Sequence, residues 1–123
     1  MEHLVLESTV PRPAGAYSHG VVAGGLLFTA GMGPHLPSGE LAGATVAEQT
    51  VQVVRKLESI LAARGRTLAD VVKVTVHLAD VERDFGEFDA AYRQLMPAPY
   101  PARTTVGSTL LGILVEIDVV AVA

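Results

Sequence analysis

The chain has 123 residues, half of them apolar, and carries a formal charge of −4 with a pI near 5.4; that is one domain, residues 1–123, with ample material for a core. The acidic balance and the lack of any dense run of Lys and Arg give no footprint for nucleic acid or an anionic membrane, and no apolar run reaches the roughly 18 residues of a membrane span. There is no cysteine, which excludes disulfides, thiolate catalysis and Cys-built zinc sites.

The opening segment, Met1 to Glu7, is acidic and has no basic-then-apolar leader, so the sequence reads as cytoplasmic. Leu4 to Leu6 reads as a short strand that Pro11-Arg12-Pro13 cannot continue, because proline removes ladder donors. His19 to Ala23 and Leu26 to Ala30 are β-like runs joined by Gly24-Gly25, a hairpin signal. The Gly- and Pro-rich stretch from Gly31 to Gly39 reads as an irregular loop.

Thr45 and Glu48 have capping-box spacing and open a long helix with Ala47, Val51, Val54, Leu57 and Leu61 on its apolar stripe; Gly65 is the natural terminator. Leu68 to Val71 reads as one helical turn. Val72 to Leu78 then alternates strictly, placing Val72, Val74, Val76 and Leu78 on one face and Lys73, Thr75 and His77 on the other. Asp84 to Met96 is a second helix with Phe85, Phe88, Tyr92 and Leu95 on one stripe, ended by the prolines of 97–101. Thr104 to Thr109 and Leu114 to Val122 read as a closing hairpin turning through Leu110-Leu111-Gly112. This order predicts an α+β fold, a mixed β-sheet with two helices packed on one face. The uncovered face looks too apolar to stay wet, which points to burial between copies of the chain.

Three residues near the C-terminus carry the strongest chemical signal. Arg103 brings a planar, permanently charged fork suited to a carboxylate. In the apolar run Val115 to Val122, Glu116 and Asp118 point the same way as Val120 and Val122. Acids in such a run are paired or functional, unless that face is the wet side of an antiparallel sheet. His3, His19, His35 and His77 lack metal-ligand spacing, Gly31 and Gly33 form only a lone Gly-x-Gly, and Ser18 and Ser108 have no nucleophile-elbow context. No metal or cofactor is expected.

Pro101-Ala102-Arg103-Thr104-Thr105-Val106 followed by Val115-Glu116-Ile117-Asp118 resembles the C-terminal signature of the reactive intermediate deaminases, also called the Rid, YjgF or L-PSP family. Gly15 to Gly20, Phe28 to Met32 and Asp70 to Leu78 resemble three further family segments in the right order, so the likeness runs from about Pro13 to the C-terminus. The resemblance implies a homotrimer with active sites in clefts between subunits. It implies cofactor-free hydrolysis of 2-enamino or 2-imino acids to 2-oxo acids and ammonia.

Carried over by position, Arg103 clamps the substrate carboxylate, Glu116 positions the attacking water, and Tyr17 projects into the cleft or merely anchors a turn. Thr105 stands where the family often has cysteine, Ala30 where a serine is frequent and Asp89 where an asparagine is common. These departures leave clamp and water positioner in place and put the substrate in question; Asp118 reads more as a structural partner. Two other readings stand beside the enzyme. One is a non-catalytic or specialised small-carboxylate-binding homologue in a catabolic or biosynthetic pathway. The other is the endoribonuclease activity attached to the family as a label, which the acidic charge and absent basic stripe disfavour.

Overall fold

The computed structural model describes residues 1–123. The sheet contains β1 (Glu2–Leu4), β2 (Gly20–Ala23), β3 (Leu26–Thr29), β4 (Val71–Leu78), β5 (Ala102–Gly107) and β6 (Val115–Val122), in the spatial order β1-β2-β3-β6-β4-β5. Helices α1 (Val46–Ala62) and α2 (Val81–Leu95) connect β3 to β4 and β4 to β5. All pairings are antiparallel except β4 with β5. The expected mixed sheet with two helices on one face is therefore the observed architecture.

Local signals act as expected at several points. Gly24 and Gly25 adopt φ of 60° and 76°, the left-handed pair that turns β2 into β3. The Thr45 side chain accepts from the Glu48 N–H, and Glu48 returns to the Thr45 N–H, closing the capping box of α1. Gly65, at φ 67°, lets the chain leave that helix.

Elsewhere the structure departs from the sequence pattern. Thr104 to Thr109 and Leu114 to Val122 do not form a hairpin. Arg103 pairs with Val74 in a parallel ladder at the sheet edge, while β6 inserts between β3 and β4. The short Leu110–Gly112 link is a crossing segment rather than a hairpin turn, because β4 already holds the position between the two strands. A register shift between Val71 and Lys73 puts Val71 in the core and leaves Val72 exposed, breaking the strict alternation. The first strand lies at Glu2–Leu4 rather than Leu4–Leu6, since the Leu6 N–H is taken by His19 Nδ1. Helix α2 starts three residues before Asp84, capped by Asp80, whose side chain accepts from the Arg83 N–H at 3.1 Å.

One side of the sheet is dry. Leu27, Val74, Val76, Leu78, Ile117 and Val119 meet Val53, Leu57 and Ile60 of α1 and Phe88 of α2 in one cluster. Each such side chain contributes about 1.5–3 kcal/mol on burial. The face of α1 is less apolar than its stripe suggested, because Gln49, Thr50 and Lys56 are buried with it. Gln49 bridges two chain segments, donating to Gly43 O at 3.2 Å and accepting from the Leu114 N–H at 2.8 Å. The other side of the sheet carries no helix. There Lys73, Thr75 and His77 of β4 lie beside Val120, Asp118 and Glu116 of β6, with Phe28 further along at 43% exposure.

Candidate active site

β5 is the outer strand, and Arg103 leaves it on the helix-covered side, in register with buried Val74. Its guanidinium carbon lies 4.7 Å from the ring centroid of Tyr92, 5.5 Å from Phe88 and 5.7 Å from Phe85. Those three rings form one stripe of α2, so the apolar face of the helix doubles as a cation–π bed. Arg103 Nη1 donates to Asp89 Oδ1 at 2.8 Å, and Arg93 Nη2 donates to Asp89 Oδ2 at 3.3 Å. The Nε and Nη2 donors of Arg103 have no protein acceptor. Rings and carboxylate together hold the fork, while one edge of it stays free to receive a planar anion.

Two further groups beside the arginine are unsatisfied. Tyr92 Oη and Thr105 Oγ1 are buried without a hydrogen-bond partner, a state that costs about 1–3 kcal/mol per group and is uncommon outside sites that receive something. Thr105 shares the helix-facing side of β5 with Arg103. Burial pushes the Tyr92 hydroxyl upward in pKa, and the Arg103 guanidinium holds Asp89 below the usual carboxylate range. Asp89, Tyr92, Arg93, Tyr100, Pro101 and Arg103 line a cleft of about 360 Å³.

Glu116 belongs to a different cleft. It projects from the uncovered side of the sheet, opposite His77. The segment Gly31–Gly33 runs against β6, with Met32 N–H donating to Ile117 O at 2.8 Å and Ile117 N–H donating to Met32 O at 3.1 Å. A Cβ on Gly31 would stand 2.7 Å from Glu116 Oε2, so the missing side chain is the room the carboxylate occupies. Glu116 and Tyr17 both line this second cleft, of about 550 Å³. Tyr17 Oη accepts from the Ala14 N–H at 3.0 Å, so the ring anchors its own turn and also faces the cleft.

Lys56 lines the same cleft at 5% exposure, its Nζ donating to Gly33 O at 2.7 Å with no carboxylate in ion-pair reach. Burial lowers its pKa to about 8. His19 is committed to structure: Nδ1 accepts from the Leu6 N–H at 2.9 Å, which leaves Nε2 to donate to Pro11 O at 2.8 Å. Asp118 shares Glu116's side of the sheet, and burial raises its pKa against the pull of His77 and Lys73. Ala30 lines neither cleft; its N–H donates to His19 O at 2.9 Å.

The sequence reading missed Tyr92, Arg93 and Tyr100 beside the arginine and Lys56 beside the glutamate. The i,i+4 spacing of Asp89 and Arg93 was the available signal for the first group; Lys56 offered none, since lysine on a helix is ordinarily solvated.

The chain is thus a small α+β domain with an arginine bedded on aromatic rings on one side of the sheet and a glycine-seated glutamate on the other. The family model described as Endoribonuclease L-PSP matches residues 7–123, and the chain belongs to that family. A RutC family protein of Pyrococcus horikoshii is 36% identical over 124 residues, covering 98% of both chains. The chloroplastic Reactive Intermediate Deaminase A of Arabidopsis thaliana is 32% identical over 123 residues, covering 99% of this chain and 65% of the relative. Among solved structures, E. coli TdcF with bound serine superposes with a TM-score of 0.89 at 30% identity, covering 99% of each chain.

Proposed function

We propose that the protein is a cofactor-independent deaminase that hydrolyses 2-imino and 2-enamino acids to 2-oxo acids and ammonia, acting as a homotrimer. The observation that carries this reading is the free edge of Arg103, bedded on three rings beside two unpartnered hydroxyls. The deaminase relative and the serine held by the E. coli neighbour support a site for small amino-acid-derived carboxylates.

Arg103 takes the substrate carboxylate and presents C2 of the imine. Glu116, as carboxylate, accepts a proton from water while the water oxygen bonds to C2 and the C=N pair moves onto nitrogen. Glu116 returns that proton to nitrogen, giving a carbinolamine, then takes the proton of its hydroxyl and passes it to the amine nitrogen, so that the C–N bond breaks and ammonia leaves as the carbonyl forms. The imine carbon is already electrophilic, so orientation and a proton relay are the chief demands on the protein.

Within one chain Arg103 and Glu116 lie on opposite sides of the sheet and share no cleft. The complete site therefore needs the arginine half of one copy against the glutamate half of the next. Exposed Phe28, Val106 and Val122 on the uncovered side of the sheet favour such an assembly.

The test generates 2-imino acids with an amino-acid oxidase and follows the semicarbazide-trapped imine. The wild type accelerates hydrolysis, Arg103→Ala loses at least about 100-fold, and Arg103→Lys recovers little because a point charge cannot replace the fork. Full activity in Arg103→Ala overturns the reading.

A further inference from the structure

Lys56 is the one buried lysine of the chain, and its charge is only partly answered. Nζ donates to Gly33 O at 2.7 Å and meets no carboxylate in ion-pair reach. An ammonium has three N–H donors, so two remain on a residue 5% exposed that lines the glutamate cleft. A buried charge is costly unless a counter-charge meets it. The lining is cationic as a whole: Lys56 and Arg12, which joins no ion pair, stand against Glu116 as the only acid. That sign runs against the net charge of −4 on the chain.

The floor of the cleft sets the spacing of these groups. Gly31 and Gly33 flank Met32, whose backbone pairs with Ile117, so the two glycines face the same way. The Glu116 carboxylate fills the place of a Gly31 side chain. Lys56 holds Gly33 O, and His35 Nδ1 lies 3.4 Å from where a Cβ on Gly33 would stand. Those two attachment points are about 7 Å apart along an extended segment. An anion at Lys56 and His35 lies within a short aliphatic chain of the water that Glu116 would hold.

We propose that Lys56, with His35 beside it, is a subsite for the far carboxylate of a dicarboxylic substrate, so that the protein selects 2-imino acids with a short anionic side chain. The inference rests on the deaminase reading and deepens it by naming a substrate class. Arg103 of one copy holds the C1 carboxylate, and Glu116 of the next holds the water at C2. Lys56 of that second copy takes the far end. Charge-assisted N–H donation gives the far carboxylate its weight. Burial lowers the Lys56 pKa to about 8, which still leaves the ammonium the major form at neutral pH. A substrate with a neutral side chain leaves that ammonium uncompensated in the cleft.

Calorimetric titration with 2-oxoglutarate and 2-oxopentanoate isolates the far carboxylate, since the two share a carbon skeleton, the C1 carboxylate and the ketone. The wild type binds 2-oxoglutarate at least about tenfold more tightly. Lys56→Gln, which keeps an N–H for Gly33 O, brings the ratio to about one. Equal binding of the two by the wild type, an unchanged ratio in Lys56→Gln, or no saturable binding of 2-oxoglutarate overturns the proposal. If Lys56→Gln does not fold, NMR on the wild type decides, because Lys56 and Lys73 are its only lysines. With the lysine ε-carbons labelled, 2-oxoglutarate should raise the Lys56 pKa and 2-oxopentanoate should leave it in place. A Lys56 signal that titrates identically with both ligands overturns the subsite. Arg103-dependent imine hydrolysis with a flat ratio would remove the Lys56 subsite alone. Hydrolysis independent of Arg103, with the tenfold ratio present and lost in Lys56→Gln, would remove the clamp and leave the subsite standing.

Discussion

The arginine cleft and the glutamate cleft are built on opposite principles. Arg103 is fixed by what surrounds it: three rings of α2 beneath, Asp89 at one nitrogen, and an edge strand that holds its backbone. Glu116 is seated by what is absent, the side chain that Gly31 lacks. The first half should thus tolerate changes in chain packing poorly and report them as lost stability. The second should report small changes as lost chemistry with the fold intact.

Gly31→Ala is the sharpest way to break that contrast. The added methyl collides with the tip of a flexible side chain, so the fold accommodates it while the carboxylate moves aside. A misplacement of that kind costs about 100-fold in kcat, with the melting temperature little changed. Parallel loss of stability and rate would show that Gly31 serves the fold instead.

Lys56 separates the clefts electrostatically. Its folded pKa of about 8 lies below the ordinary 10.5, so between those values the unfolded chain binds a proton that the folded chain lacks. Stability therefore rises with pH across that window and is level below it. Urea unfolding in a buffer series should show the rise in the wild type and a flatter profile in Lys56→Met; identical profiles would mean the ammonium is solvated.

The smallest expected effect lies in the arginine cleft. Tyr92→Phe removes a buried hydroxyl without a partner and should stabilise the chain by about 1 kcal/mol, measured by urea denaturation. If that hydroxyl meets ligand, the same variant weakens carboxylate binding, so stability and affinity move in opposite directions.

Local chemistry made part of this legible in sequence. Thr45 with Glu48, Gly24 with Gly25, and the alternation of β6 each contain their own structural instruction. Glu116 stood out because charges are costly in apolar runs, and Arg103 because its planar fork suits a carboxylate and lies in the segment that carries the family resemblance. The pairing of β5 with β4 was not legible, since neighbouring strands in sequence usually pair and nothing local forbids it. Nor were the Val71–Lys73 register shift, the burial of Lys56, or Tyr92 as a floor for Arg103. Each depends on which distant element arrives opposite, and Tyr92 in an apolar stripe reads as core whether or not a cation sits on it.

The most direct test of the account is complementation between two inactive variants. Under the proposed mechanism, Arg103→Ala and Glu116→Ala should each be inactive alone in the coupled imine assay. Co-expressed, they should form the mixed trimers that the proposed assembly requires, their composition verified by native mass spectrometry. Random mixing leaves an intact arginine half facing an intact glutamate half at about a quarter of the interfaces, so activity should return to about that fraction of the wild type. Verified mixed assemblies with no recovered activity would contradict a site shared between copies.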